Sequence, residues 1–368
     1  MRRIMKEQRN NPTPESGQIH PPAEPKKQKK LVWLIIFIMI AAGSIWAVTA
    51  QNKDFSASEF LTYVKGASPF WIIAAIASML AFIILEACAI VSICRAFGYE
   101  CKRKNSFFYS AADIYFSAIT PSASGGQPAC AYFMIKEGIP GVVVTTALLI
   151  NVMMYATSLI MIGIITIIIK PDIFSYFNTL SKILIMAGCV IQIVLALFFY
   201  LLLYKDYFLC RICSGTLRIL GKIHLVNNVD KKLTKLNSAM KEYRQYADMF
   251  KGRRRILFKT LLFNIFQRAA QTAVTVFVFI SFGGTLRQAI DIWAIQSFVV
   301  IGAGCIPIPG AMGVTDYLML DGFCTIMAAR QAAHLELLSR TLSFYCCILI
   351  CGISVILKYY LMKRRSTK

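Results

Sequence analysis

The sequence predicts an all-α, polytopic membrane protein, and three observations carry that expectation. Of 368 residues, 57% are hydrophobic and 16% charged, with a mean hydropathy of +0.60. Soluble domains average roughly 45–50% apolar and about 25% charged, so the excess marks a chain that partitions into lipid. Several uncharged apolar stretches are also long enough to cross a hydrocarbon core of about 30 Å at about 1.5 Å per residue. Finally, two Pro/Gly-rich interruptions break apolar sequence far apart in the chain: Pro121-Ser-Ala-Ser-Gly-Gly-Gln-Pro128 and Pro307-Ile-Pro-Gly-Ala-Met-Gly-Val-Thr-Asp316. Backbone groups freed at membrane depth must be buried in protein or line a wet cavity, because lipid offers them no hydrogen bond. One such break in each half is the pattern of an inverted repeat built around a midplane site.

The elements follow from hydropathy and from the placement of Lys and Arg. Residues 1–30 are polar, rich in Pro and Lys, and lack an apolar core with a cleavage site, so they read as a disordered basic cytoplasmic tail. A transmembrane domain is expected over 31–362, and 363–368 form a second basic tail. The first span, 31–50, follows eight Lys and Arg residues, which by the positive-inside rule places the N-terminus in the cytoplasm. Residues 68–94 cross back.

Residues 106–137 are too short and too polar for two crossings and read as a hairpin of half-helices turning at Pro121–Pro128. Residues 139–169 cross outward, 170–181 form an outer loop, and 182–204 return. The segment 205–255 is dense in Lys and Arg and is expected in the cytoplasm. Within it, Val229, Leu233, Leu236, Met240, Tyr243, Ala247 and Phe250 form an apolar helical stripe. That helix suits either the inner membrane surface or packing against the protein's own cytoplasmic ends.

Residues 256–282 cross outward, 289–305 descend from outside, the chain breaks at Pro307–Gly313, and 314–328 return. Residues 330–340 are then expected outside, and 342–362 cross inward to a cytoplasmic C-terminus. The count is about six full spans plus two opposed re-entrant half-helix hairpins. Hairpins that crossed fully would raise it towards eight or ten with the same termini.

Composition also excludes some classes. A net charge of +22 would suggest nucleic acid in a soluble protein, but here the basic residues bunch between apolar spans. They read as topology signals and contacts to anionic lipid head groups, with no nucleic acid bound by this chain. Of the twelve cysteines, Cys88, Cys94, Cys189, Cys305, Cys346, Cys347 and Cys351 fall in apolar spans, where cysteine acts as a small hydrophobe. Cys210 and Cys213 form an isolated CxxC without a second pair. The histidines, His20, His224 and His334, are scattered. No metal site and no cofactor is expected.

The candidate functional residues lie at the breaks and at charges inside spans. Pro121, Pro128, Pro307 and Pro309 lack an amide proton, while Gly125, Gly126, Gly310 and Gly313 tolerate positive φ, so both loops can run non-helically and present bare amides. Half-helices starting near Ala129 and Val314 would aim partial positive charge inward, and phosphate suits such an end. Ser122, Ser124, Gln127 and Thr315 add uncharged hydrogen-bonding groups. The competing reading is a proline-kinked helix satisfied by its neighbours.

Glu86, Asp113, Arg268 and Asp316 are charged within apolar segments. A mid-span charge costs at least about 2.5–3.5 kcal/mol on insertion scales, so each needs a partner or water. Arg268 paired with Glu86, Asp113 or Asp316 is the expected arrangement, serving either a transported group or a structural bridge. Asn264, Gln267, Arg268 and Gln271 share one helix face at i, i+3, i+4 and i+7, and that polar stripe must face inward. Asp291, Arg287, Arg330, Glu336 and Arg340 fall near expected span ends, where snorkelling suffices.

Thr120-Pro-Ser-Ala-Ser-Gly-Gly-Gln-Pro128 and Pro307-Ile-Pro-Gly-Ala-Met-Gly-Val-Thr-Asp316 resemble the two signature loops of the lysylphosphatidylglycerol synthase transmembrane (flippase-like) family. The similarity covers about residues 31–362. The second loop carries Ala311-Met312 where the family has a glycine pair, and Asp316 stands near an expected acidic position. In long family members the membrane domain precedes a soluble transferase domain. That domain adds lysine from lysyl-tRNA to phosphatidylglycerol, giving resistance to cationic antimicrobial peptides.

This chain ends six residues after its last expected span, so a short form without that domain is expected. The resemblance implies a lipid translocase of the cytoplasmic membrane, binding an anionic phospholipid-like amphiphile, with a separate transferase as a possible partner. The alternatives are phosphatidylglycerol lysyltransferase, by family name, and an ion-coupled carrier of a small solute.

Overall fold

The structure, a computed structural model, describes residues 57–99, 101, 103–204, 211, 214–215, 254–304 and 306–366. The expected N-terminal tail and first span, the amphipathic stripe at 229–250, the Cys210/Cys213 pair, His20 and His224 lie outside the described residues. Every regular element among the described residues is helical.

A short helix, α1 (Ala57–Gly66), leads to α2 (Pro69–Ala96), which starts with Pro in its first turn, where the missing N–H has no intrahelical role. The first hairpin follows as α3 (Arg103–Ile119), a 3₁₀ turn (Pro121–Ala123) and α4 (Gly126–Lys136). Two long helices, α5 (Gly141–Ile169) and α6 (Thr179–Tyr204), complete the first half.

The second half repeats the order. Helix α7 (Arg254–Ser281) is followed by α8 (Leu286–Ala303), a 3₁₀ turn (Pro309–Ala311) and α9 (Val314–Phe323). The chain closes with α10 (Ala329–Arg340), a π-helical turn (Thr341–Cys346) and α11 (Cys347–Ser366). Among the described residues, five helices are long and apolar enough to cross a bilayer: α2, α5, α6, α7 and the continuous helix Ala329–Met362. The protein is an all-α, multi-pass membrane protein.

Helices α4 and α9 have 11 and 10 residues. At about 1.5 Å per residue each spans roughly half of a 30 Å core, while their partner arms α3 and α8, with 17 and 18 residues, are longer than the half-helices expected. The mouths of the two hairpins lie at opposite ends of α5. At the N-terminal end, Glu137 closes α4 against Asn105 and Tyr109 of α3, with Tyr109 donating its hydroxyl at 2.8 Å. Lys358 of α11 completes that knot, bonding both Glu137 and Asn105.

At the C-terminal end of α5, Lys170 pairs with Asp291 of α8 at 2.6 Å. Nearby, Asn178 donates to Asp321 (2.9 Å) and Tyr317 (2.6 Å) of α9. The two hairpins therefore enter from opposite sides, and their 3₁₀ turns touch inside the protein. Helix α2 packs along α7 between them. The core is apolar, built on Ile83, Ile90, Ile150, Leu159, Ile292, Ile295 and Phe323. Helix α6 turns Leu180, Ile183, Met186, Val190 and Leu197 outward, as a lipid-facing helix does.

One expected element is overturned. Residues 330–340 do not form an outer loop. They are the first part of the last transmembrane helix, with His334, Glu336, Ser339 and Arg340 buried. Their polarity reads as exposure when hydropathy is averaged along the chain. Yet Ala332, Glu336, Ser339 and Arg340 fall on one helical face, and packing against α7 and α9 decides its burial.

Candidate functional site

The two breaks are built alike. Each is a Pro-X-Ala turn entered through an extended residue, Thr120 (φ −114°, ψ 145°) or Ile308 (φ −98°, ψ 140°). Each closes on an alanine held left-handed, Ala123 at φ 53° and Ala311 at φ 49°, and no other non-glycine described residue has positive φ. A left-handed L-residue costs about 1–2 kcal/mol, so strain is placed at the same point of both hairpins. Strain of this kind persists where the surroundings enforce it, often at ligand-binding and switching sites.

The loops are less bare than expected. Thr120 Oγ1 accepts from the Gly125 amide at 2.8 Å while donating to Phe116 O. Asp316 Oδ2 accepts from the Gly313 amide at 2.9 Å, and Thr315 Oγ1 satisfies Ala311 O. Helix α4 starts at Gly126, ahead of the expected Ala129, because Pro128 fits a first turn that needs no amide there. Ser124, Pro128 and Pro307 remain exposed at the tips and join no polar side-chain network among the described residues, while Gly313, also exposed, is tied by its amide to Asp316.

Around the first break, residues from four helices meet. Asp113 of α3 accepts from Gln127 Nε2 at 2.8 Å and from Ser117 Oγ at 3.3 Å. Glu86 of α2 accepts from Gln267 Nε2 of α7 at 3.1 Å and lies within side-chain hydrogen-bond reach of Asp113. Beside Gln267 in the chain, the Arg268 guanidinium is sandwiched between Tyr155 (4.5 Å) and Phe82 (5.0 Å), a cation–π arrangement. It donates to Gln271 Oε1 at 2.6 Å, and its Nε is buried without a partner. Further along the stripe, Asn264 Nδ2 donates to Asn151 Oδ1 at 3.3 Å.

The expected ion pair of Arg268 is absent among the described residues. Glu86 and Asp113 act on it only at longer electrostatic range, because each is held by its own amide donor. Nor does Asp316 reach it. Asp316 pairs instead with Arg340, Nε to Oδ1 at 2.8 Å, in a second buried cluster that includes Glu336. Arg340 also lies over Phe344 at 4.4 Å. Glu336 and Arg340 had read as snorkelling ends, and Lys358 had drawn no notice inside an apolar run. The helical face shared by Ala332, Glu336, Ser339 and Arg340 was the available signal for the first two.

Close packing holds the first break in place. A Cβ on Gly126 would lie 2.6 Å from Asp113 O and 2.1 Å from Asp113 Oδ1. Gly126→Ala is therefore expected to push α4 off α3, break the Gln127–Asp113 bond and lower stability by about 1–3 kcal/mol. Thermal unfolding in detergent measures this, and an unchanged midpoint would show that the hairpin is looser than its geometry indicates.

Residues 33–351 match the family model described as the lysylphosphatidylglycerol synthase TM region. The chain belongs to that family. The match spans both broken hairpins, the α7 polar stripe and Arg340. A search of curated proteins gives no match. As a member of the lysylphosphatidylglycerol synthase TM family, the chain carries a family name tied to a phospholipid, set on a multi-pass helical scaffold.

Proposed function

We propose that this protein binds the head group of an anionic, phospholipid-like amphiphile at Arg268 and moves it between leaflets as a lipid flippase. The observation that carries the reading is a buried guanidinium without an ion-pair partner among the described residues, beside the point where two opposed broken hairpins meet. An uncompensated charge at membrane depth is costly unless a ligand or water meets it, and an anionic phosphate supplies that counter-charge. Asn264 and Gln267 supply uncharged donors and acceptors around it, and the carboxyl groups of Glu86 and Asp113 add acceptors for the donor groups of a polar head in transit. Exposed Ser124 and Gly313 at the hairpin tips support an open, wet path there, because non-helical loops are tolerated at that depth only beside water or protein.

Alternating access follows from the two mouths. The Glu137–Lys358–Asn105 knot holds one and the Lys170–Asp291 and Asn178–Asp321 contacts hold the other. Opening one while the other stays closed would expose the centre to one side at a time. The test is passage of a fluorescent phosphatidylglycerol analogue across proteoliposomes holding the purified protein. Passage of a small water-soluble solute, with none of the lipid, would replace this reading by a solute carrier.

Orientation belongs to the same proposal. The distribution of Lys and Arg puts both termini and the 205–255 segment on the cytoplasmic side of the cell membrane. With Met240→Cys as the lone cysteine, a membrane-impermeant maleimide is expected to label only after the cells are opened. Labelling in intact cells would invert the topology.

A further inference from the structure

The second buried cluster has groups that nothing in the protein satisfies. Arg340 Nη2 and Glu336 Oε2 are both buried without a hydrogen-bond partner, and Arg340 and Glu336 are 7% and 1% exposed. They stand on α10 against α9, whose N-terminus begins at the second break. The Arg340 guanidinium is oriented there by Asp316, the third residue of α9, and by the Phe344 ring, which in turn packs on Gly310 of the break. A charge-assisted donor left idle in a water-poor interior costs more than an ordinary unpaired group, so its retention calls for a ligand.

The helix itself is modified at this point. The π turn Thr341–Cys346 begins directly after Arg340. Such bulges are rare in α-helices and concentrate at functional sites, since they re-aim neighbouring side chains. Arg340 lies about 16 Å along the helix from Ala329. Cys347, two turns further and about 10 Å along the helix, comes within electrostatic range of Glu86 of the first cluster. The clusters thus occupy successive levels along one helix.

On the reading that Arg268 receives a phosphate head group, we infer that Arg340 and the second break form a second station for the same chemistry. The ligand is a phosphate ester that also carries a hydrogen-bond donor. A phosphate oxygen accepts from Arg340 Nη2, and the head group's hydroxyl or ammonium donates to Glu336 Oε2. The α9 N-terminus adds its partial positive charge to the phosphate site. A head group released from Arg268 then finds its next counter-charge at Arg340, so no step leaves it unpaired at membrane depth.

Calorimetric titration of the full chain in detergent tests this, with dihexanoyl-phosphatidylglycerol as one titrant and inorganic phosphate as the other. Wild type is expected to bind two equivalents of the lipid, while Arg268→Gln and Arg340→Gln each bind one. Should Arg340→Gln alone fail to fold, Arg340→Gln/Asp316→Asn removes both charges of the pair together and is expected to fold and bind one equivalent. Lipid passage in proteoliposomes is expected to fall at least about tenfold in each Arg340 variant.

Two equivalents and wild-type passage in the double variant would make Arg340 a structural strut and overturn the second station. One equivalent in wild type, lost only in Arg268→Gln, would overturn it while leaving the proposed function standing. No lipid binding by wild type would remove both. Inorganic phosphate binding twice, as tightly as the lipid, would overturn the lipid assignment of the stations.

Discussion

Arg268→Gln is expected to express and fold as wild type while losing lipid binding at its own site and most lipid passage. Its guanidinium has no carboxylate within ion-pair distance among the described residues, and its nearest contacts are two aromatic faces and Gln271. Removing it therefore strands no close partner. Glutamine keeps a hydrogen-bonding end on the polar stripe but takes away the charge that meets a phosphate. A hydrogen bond to a charged group contributes about 1.5–3 kcal/mol, so affinity is expected to fall about 10- to 100-fold.

A strut would behave otherwise, because deleting one member of a buried pair costs about 3–5 kcal/mol. Aggregation of Arg268→Gln, rescued by Glu86→Gln or Asp113→Asn, would make the residue a brace between α2, α3 and α7. Asp316 drops out of that rescue test, since Arg340 already holds it. Binding titration and thermal unfolding on the same preparation separate the two outcomes.

Lys358→Met is expected to have the larger effect on stability. Lys358 is 5% exposed and bonds Glu137 and Asn105, tying both ends of the first hairpin to the last helix. The substitution leaves the Glu137 carboxylate with only the uncharged donors Asn105 and Tyr109. A loss of about 3–5 kcal/mol follows, or a fall in the unfolding midpoint on the order of 10 °C. Lys358→Met/Glu137→Gln removes both charges and is expected to recover most of it. If the single variant melts with wild type, packing of α11 on α3 holds that mouth closed unaided, and the knot is not a gate.

Much of the architecture is legible from local sequence because its causes are local. A long apolar run must be a helix in lipid whatever surrounds it, so α5 and α6, and with a few charges α2 and α7, follow from hydropathy. Pro and Gly act on their own backbone, and both breaks occur where those residues cluster. The inward stripe of Asn264, Gln267 and Arg268 follows from helical period alone, since lipid rejects it.

Partner choice is not local, and there the sequence is silent. Lys358 and Asn105 stand 253 residues apart, and only the fold brings them to 3.0 Å. That Asp316 meets Arg340 while Arg268 keeps an idle Nε depends on how α9, α10 and α7 rotate against one another. Residues 330–340 make the same point. Their composition is polar enough for water, but a helix is buried by its neighbours, and three packed helices turned Glu336 and Arg340 inward. The chain by itself determined that this is a helical membrane protein broken twice. Tertiary packing decided which charges meet at the breaks, because burial and pairing depend on surfaces contributed by distant segments.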